Sequence, residues 1–211
     1  MINKISELFS DKIIVTKIQN KLPKLFHLAE LESSRAGKVG MEVGSVREKI
    51  IVALFIHKFG EQNAETPKIT EAEVDVRVYN NPISIKTKTI TGKKPSGVKL
   101  KWTVDAAKAI EFSKNYFPSC DMIFVQINWA NGGGFYYITK EIQNEILINI
   151  GRENYIKLPK AGTNPRGVEM SGKAVFELLS HQNTLKIPIN WNKEIIDFKP
   201  FQRWTELWEQ E

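Results

Sequence analysis

The sequence predicts an α/β fold in which helices flank a mixed central sheet. Three observations carry this. Glu73 to Thr89 alternates as a β-hairpin does. Asp121 to Trp129, DMIFVQINW, is a strand apolar enough to lie in the middle of a sheet, with FYYIT following it. Segments of helical period lie between these runs.

The elements follow in order. Ile2 to Phe9 and Pro23 to Ser34 read as helices, with Pro23 opening the second. Ser33 to Gly40 is a basic loop. Val46 to Phe59 is a largely buried helix, dense in apolar residues from Ile50 to Ile56 and stopped by Gly60. In the hairpin, Val74, Val76 and Val78 alternate with Asp75, Arg77 and Tyr79. Asn80-Asn81-Pro82 supplies the turn. Ile83, Ile85 and Thr87 then alternate with Ser84, Lys86 and Lys88. Asp105 to Phe117 predicts an amphipathic helix with Ala106, Ala109, Ile110, Phe112, Ser113 and Phe117 on its apolar face, ended by Pro118. Asn131-Gly132-Gly133-Gly134 reads as a tight connection between two strands. It is not a phosphate loop, because no GK[ST] follows. Lys140 to Ile150 is a helix closed by Gly151, Ser171 to Ser180 another, and Leu185 to Ile189 a late strand. Trp204 and Trp208, at i,i+4, share one face of a C-terminal helix, a pattern commoner in a core or a subunit contact than in a base-stacking platform.

With 211 residues, 42% of them hydrophobic, the chain can bury one sizeable core. It shows neither a linker nor an internal repeat. We expect a single domain over 1–211, in three parts: a helical part with a basic loop (1–43), a central core (44–130), and a part of strands and helices (131–211). The lone Cys120 excludes an internal disulfide framework and a Cys-based zinc cluster. His27, His57 and His181 lack metal-ligand spacing. No signal peptide is visible, and no apolar stretch approaches the ~20 residues of a spanning helix, so a reducing cytoplasm is expected.

The hairpin carries the chemistry. Asp is a poor strand former, so its place between two valines asks for a reason. Period-2 geometry lets Asp75 and Lys86 share one face. A carboxylate and a lysine fixed on adjacent strands suit a metal-dependent nuclease: the first holds Mg²⁺, the second serves the attacking water and the phosphate. The alternative is a solvated cross-strand ion pair, contributing well under ~1 kcal/mol. Glu48 lies in register with Ile51, Val52, Phe55 and Phe59, so its carboxylate starts on an apolar stripe, where it needs a metal or a partner. The alternative here is a capping box, Ser45-Val46-Arg47-Glu48. Charge adds a third sign. The chain holds 30 Lys plus Arg against 24 Asp plus Glu, a net +6, and Val76 to Val104 contains no acidic residue but Arg77, Lys86, Lys88, Lys93, Lys94, Lys99 and Lys101. Beside a phosphodiesterase strand, such a block reads as a phosphate-contacting surface.

The order helix-Glu, strand-Asp, strand-x-Lys resembles the PD-(D/E)xK nuclease superfamily and, within it, the type II restriction endonucleases. The resemblance implies a restriction-endonuclease-like sheet, with Asp75 as metal-binding aspartate, Lys86 as the second-strand lysine and Glu48 as the helix glutamate. Two positions depart from the pattern. Val74 stands in place of Pro, and Ser84 stands where the superfamily usually has Asp or Glu, leaving D-x₈-S-x-K. Ser84 would act through a water or a hydrogen bond, and Glu73, two residues before Asp75, is a spare carboxylate for the metal. A second stretch, LPKAGTNPRGVEMSGKA, resembles the N-P-R-G loop of restriction enzymes, and the chain is similar to the ThaI group. That resemblance implies a short palindromic target of G and C only.

The reading is therefore Mg²⁺-dependent hydrolysis of double-stranded DNA at a short palindromic site by a two-fold homodimer. In the single domain, 1–43 would then supply a DNA-contact loop, 44–130 the catalytic core, and 131–211 DNA recognition and dimerisation. Asp75, Lys86, Glu48 and Ser84 are the catalytic candidates, and Asp75, Glu48 and Glu73 the metal ligands. Arg35, Lys38, Lys88, Lys93, Lys94, Asn164 and Arg166 are the DNA contacts, with Arg166 and the Arg35–Lys38 loop best suited to base edges. A structure-specific nuclease, such as a junction resolvase or repair endonuclease, and a non-catalytic nucleic-acid-binding protein remain the alternatives.

Overall fold

The computed structural model describes residues 4–35, 38–67, 71, 73–92, 96–159 and 167–210. A 3₁₀ turn, Lys4–Ser6, leads into α1 (Glu7–Ser10) and α2 (Lys12–Glu32). A small hairpin, β1 (Ser34–Arg35) and β2 (Lys38–Val39), precedes α3 (Val43–Phe59). Then come β3 (Ala64–Glu65), β4 (Val76–Val78), β5 (Asn81–Thr89), β6 (Val98–Lys101), α4 (Ala106–Asn115), β7 (Asp121–Ile127) and β8 (Asn131–Ile138). The chain continues through α5 (Lys140–Ile150), α6 (Arg152–Tyr155), β9 (Ile156–Lys157), β10 (Val168–Met170), α7 (Gly172–Ser180), β11 (Leu185–Trp191) and α8 (Gln202–Trp208).

The main sheet has six strands in the order β11-β8-β7-β5-β4-β3. It is mixed: β5 and β7 run parallel, while the other neighbours run antiparallel. Alternation along β7 divides the interior. Ile123, Val125 and Ile127 pack with α1, α2 and α3 on one face, whereas Met122 and Phe124 pack with α4 to α7 on the other. A second sheet, β6-β10-β9, flanks the first. The expected α/β layout with a mixed central sheet is borne out.

Several boundaries differ from the sequence reading. Pro23 lies inside α2 rather than opening a helix, and α2 is 21 residues long. Asp11 caps it, accepting from the amides of Ile13 and Ile14, and Ile14, Ile18, Leu22 and Phe26 bury at i,i+4. Burial of this long stripe outweighs the one hydrogen bond that proline forfeits. In the main hairpin, Tyr79 and Asn80 form the turn, with φ of 48° and 64°. Val78 pairs with Asn81, so this is a two-residue turn of the primed kind, and Asn81 and Pro82 already belong to β5. The predicted amphipathic face of α4 is only partly used: Ala109 and Ser113 are buried, while Ile110 and Phe117 stand exposed.

The triple glycine is strand, not connection. Gly132 to Gly134 sit within β8 opposite Pro188 to Asn190 of β11, and the turn falls before them, at Ala130 with φ 64°. Gly133 is required by packing, since a Cβ there would meet the Gln126 carbonyl and, at 2.6 Å, Nε1 of the buried Trp191. Gly133→Ala is therefore expected to destabilise the protein by roughly 1–3 kcal/mol through overpacking, measured as a lowered midpoint in urea unfolding. Gly132→Ala, where nothing lies within 4 Å of the added Cβ, is the control.

Candidate active site

β4 pairs with β5 over only three residue pairs, ending at Val76–Ile83, although β5 continues to Thr89. The regular ladder ends at Asp75, whose amide still donates to the Ile83 carbonyl at 2.9 Å while its side chain takes up the next β5 amide. The opening leaves one side of β5 accessible where Ser84 and Lys86 occupy the face opposite to Ile83 and Ile85.

Asp75 is held from three directions. Its Oδ2 accepts from the Ile85 amide at 2.5 Å, from the Ser84 hydroxyl at 3.2 Å and from Lys86 Nζ at 3.3 Å. Asp75 and Lys86 are each about four-fifths buried, at 20% and 19% side-chain exposure. That is not the solvated pair of the bland sequence alternative. Ser84 is itself buried and acts on the carboxylate rather than as an additional charge.

Glu48 reaches the same opening from α3. Burial raises its carboxyl above the usual range, and the negative charge of Asp75 raises it further, only partly offset by Lys86 and Lys49. The capping-box reading fails. α3 begins at Val43 with Glu42 at its N-cap position, so Ser45 lies within the helix and no side chain caps the start.

The orientation of α3 depends on the residue beside Glu48. Arg47 is buried, donates to Glu30 Oε1 at 2.6 Å and lies 5.4 Å from the centre of the Phe26 ring. The Trp129 indole donates to the same oxygen at 2.8 Å, and Lys193 lies 2.8 Å from Oε2. Glu30 thus joins α2, α3, the turn after β7 and the residues after β11. Sequence reasoning missed this cluster, because its members are scattered over more than 160 positions with no spacing signal.

Glu73 is not where alternation places it. It takes a φ of 78°, which turns its carboxylate away from the hairpin face. Tyr116 donates to it at 2.7 Å, the Ser119 amide at 3.2 Å, and the Ser119 hydroxyl also bonds to it. The expectation of a spare carboxylate beside Asp75 is corrected: Glu73 ties the approach to β4 to the segment between α4 and β7.

Of the candidate DNA contacts, Arg35 and Lys38 face each other in the exposed β1–β2 hairpin. Lys88 is half-buried on β5, near Glu169. Glu169 pairs across strands with Lys99, at 3.0 Å, and Lys157, at 3.8 Å. Burial raises its carboxyl, but the hydrogen bond and charge of Lys99, with Lys157 and Lys88, outweigh burial and lower it. Lys93, Lys94, Asn164 and Arg166 lie outside the described residues. Gly167, next to Arg166, has φ 90° and passes close to the Lys101 carbonyl.

Two separate elements thus bring a glutamate, an aspartate and a lysine to one opening at the side of a mixed sheet. The family model for restriction endonuclease ThaI matches residues 8–210. The chain belongs to the ThaI restriction endonuclease family. A solved structure described as a restriction endonuclease in complex with substrate DNA is 54% identical in sequence, with a TM-score of 0.91, covering 98% of this chain and 99% of that one. No curated protein matches the chain. Family membership makes this endonuclease a site-specific deoxyribonuclease, a hydrolase of phosphodiester bonds, and the sequence resemblance is borne out.

The raised Glu48 carboxyl has a consequence for stability. Because its folded pKa exceeds the unfolded one, ionisation of Glu48 opposes folding. The penalty is absent below the unfolded pKa, grows as pH rises, and is complete above the folded pKa. Glu48→Gln should therefore raise the melting temperature of the metal-free endonuclease at pH 8, with the gain shrinking towards pH 4. Scanning calorimetry at both pH values checks this.

Proposed function

We propose that this endonuclease cleaves double-stranded DNA with a magnesium ion held by Glu48 and Asp75 and with Lys86 at the scissile phosphate. The observation that carries the reading is the convergence of Glu48 on the Asp75–Lys86 pair from a different element. Restriction endonucleases generally use a divalent metal. The donor set fits one. Two carboxylates that repel each other, only partly offset by Lys86 and Lys49, form a hard-oxygen site. Magnesium characteristically uses one or two protein carboxylates and completes its shell with water and phosphate. Among the described residues no group of three His, Cys, Asp or Glu is placed to hold a metal, so the reading rests on two carboxylates.

When bound, the ion supplies an activated water and stabilises charge on the scissile phosphate. The chain's own residues do the rest. The Ile85 amide and Ser84 hydroxyl fix the Asp75 carboxylate, leaving Oδ1 free of the hydrogen bonds that hold Oδ2. Lys86 presents its Nζ to the attacking water and a non-bridging phosphate oxygen. Ser84, in place of the usual acid, orients Asp75 without adding charge.

The matched structure's substrate DNA supports duplex DNA as the substrate here. Cutting both strands of a short palindrome calls for a two-fold homodimer with one site per strand. Arg35 and Lys38, with Lys88, Lys93 and Lys94, would contact phosphates and the groove, while Asn164 and Arg166 would read base edges. Among the described residues no helix is long and apolar enough to cross a membrane. The cytoplasm, where DNA is the available substrate, is the proposed compartment.

Asp75→Ala and Lys86→Ala should each lower the single-turnover cleavage rate in Mg²⁺ by more than about 100-fold, while binding of cognate duplex in Ca²⁺ persists. Near-normal cleavage by either variant would overturn the assignment. Discrete bands from plasmid DNA separate a restriction enzyme from a structure-specific nuclease.

The Arg35–Lys38 hairpin generates a second test. If both side chains contact phosphates, Arg35→Ala with Lys38→Ala should flatten the logarithmic salt dependence of DNA binding by about one unit for each lost contact. A changed preference among duplex sequences at constant salt slope would instead assign the hairpin to base reading.

A further inference from the structure

β11 ends at the buried Trp191. Lys193 still pairs with Glu30 and Glu194 lies 3.8 Å from Lys24, and beyond these residues the chain leaves the body of the protein. Between Asn192 and Pro200 only Ile196 and Phe198 are even half-buried. α8 buries nothing at all. Phe201, Trp204, Leu207 and Trp208 nonetheless form an apolar stripe at i, i+3, i+6 and i+7, and Trp208 is 89% exposed. An apolar surface of this kind marks an interaction site, because apolar side chains gain free energy when they leave water.

A matching surface lies elsewhere on the molecule. Ile18, Leu22 and Leu25 of α2 and Ile50, Ala53 and Leu54 of α3 line an open apolar groove of about 330 Å³. Its rim is basic. Lys17, Lys21 and His57 border it, Lys17 Nζ lies 3.0 Å from His57 Nε2, and no acidic side chain lines it. The C-terminal segment carries the opposite charge: residues 202–211 hold Arg203 against Glu206, Glu209 and Glu211.

We propose that α8 of one copy seats its Phe201–Trp204–Trp208 stripe in the α2–α3 groove of a second copy, and that the exchange is reciprocal. The proposal rests on the two-fold homodimer reading above. The stripe and the groove are both apolar and both uncovered in the single chain, and acid on the helix meets base on the rim. The segment from Ile195 to Phe201 can span up to roughly 20 Å when extended, which carries α8 away from its own body. Two-fold symmetry makes each arm–groove contact occur twice, so the dimer closes rather than growing into a filament.

Two measurements on the full chain test this. Equal amounts of ¹⁴N- and ¹⁵N-labelled protein are mixed, allowed to exchange subunits, and treated with a carbodiimide, which joins carboxylates to lysines in direct contact. Mass spectrometry should find Glu206 or Glu209 linked to Lys17 or Lys21 in mixed-isotope peptides. Sedimentation velocity is then run on the wild type, on Trp204→Ala with Trp208→Ala, and on Ala53→Glu. All three positions are exposed, so the variants should fold, and each variant should weaken dimerisation at least tenfold. Links confined to single-isotope peptides would mean that the arm covers its own groove and would overturn the proposal. A dimeric wild type whose variants dimerise equally well would overturn arm exchange while leaving the homodimer intact. A wild type that stays monomeric at every concentration would remove the homodimer reading and the exchange with it.

Discussion

The parallel pairing of β5 with β7 is the constraint on which the rest of the molecule depends. Seven residue pairs, from Ile83–Asp121 to Thr89–Ile127, set which side chains face which helices. A slip of one residue would turn the apolar side chains of one strand to the wrong face of the sheet. The register is fixed at its root by a buried carboxylate. Asp121 accepts from Asn81 at 2.7 Å and from the Lys140 amide at 2.8 Å, and Tyr137 also bonds to it. One acid therefore joins the start of β5 to β7, β8 and α5. The far part of β5, released by β4, is then free to build the site.

The site is assembled from charges held against their solvation preference. Arg47 loses hydration on burial, which depresses its basicity although Glu30 opposes the effect. The neighbouring Glu48 is left with two negative influences, burial and Asp75. Consecutive residues of α3 thus have opposite fates, because successive helical positions point about 100° apart. Arg47 turns inward to Glu30 and locks the helix. Glu48 turns to the opening, where its destabilised charge is available to a cation.

Much of the site was legible because it obeys periodicity. Period 2 placed Asp75 and Lys86 on one face, and helical spacing placed Glu48 on the stripe that packs towards the sheet. What failed depended on contacts that no local pattern carries. Asn80-Asn81-Pro82 has strong turn chemistry, yet the register moved the turn to Tyr79-Asn80. Pro23 resembled a helix start until the burial of Ile14, Ile18, Leu22 and Phe26 showed one continuous helix. The S-x-x-E pattern at Ser45 lost its meaning once α3 extended further towards the N-terminus. Glu73 left its expected face because Tyr116 and Ser119, more than 40 positions away, hold it in a positive-φ conformation.

The packing of α2 on β11 sets the order in which the protein can be completed. Gln19 donates to the Pro188 carbonyl across 169 positions, and the rings of Phe26 and Trp191 lie 5.6 Å apart. An early helix therefore lacks its seat until nearly the whole chain has been synthesised, and such non-local closure is slow. α3 leans on α2 through Arg47 and Glu30, so Glu48 inherits the delay. The helix that carries Glu48 is therefore fully seated only after the last strand has emerged.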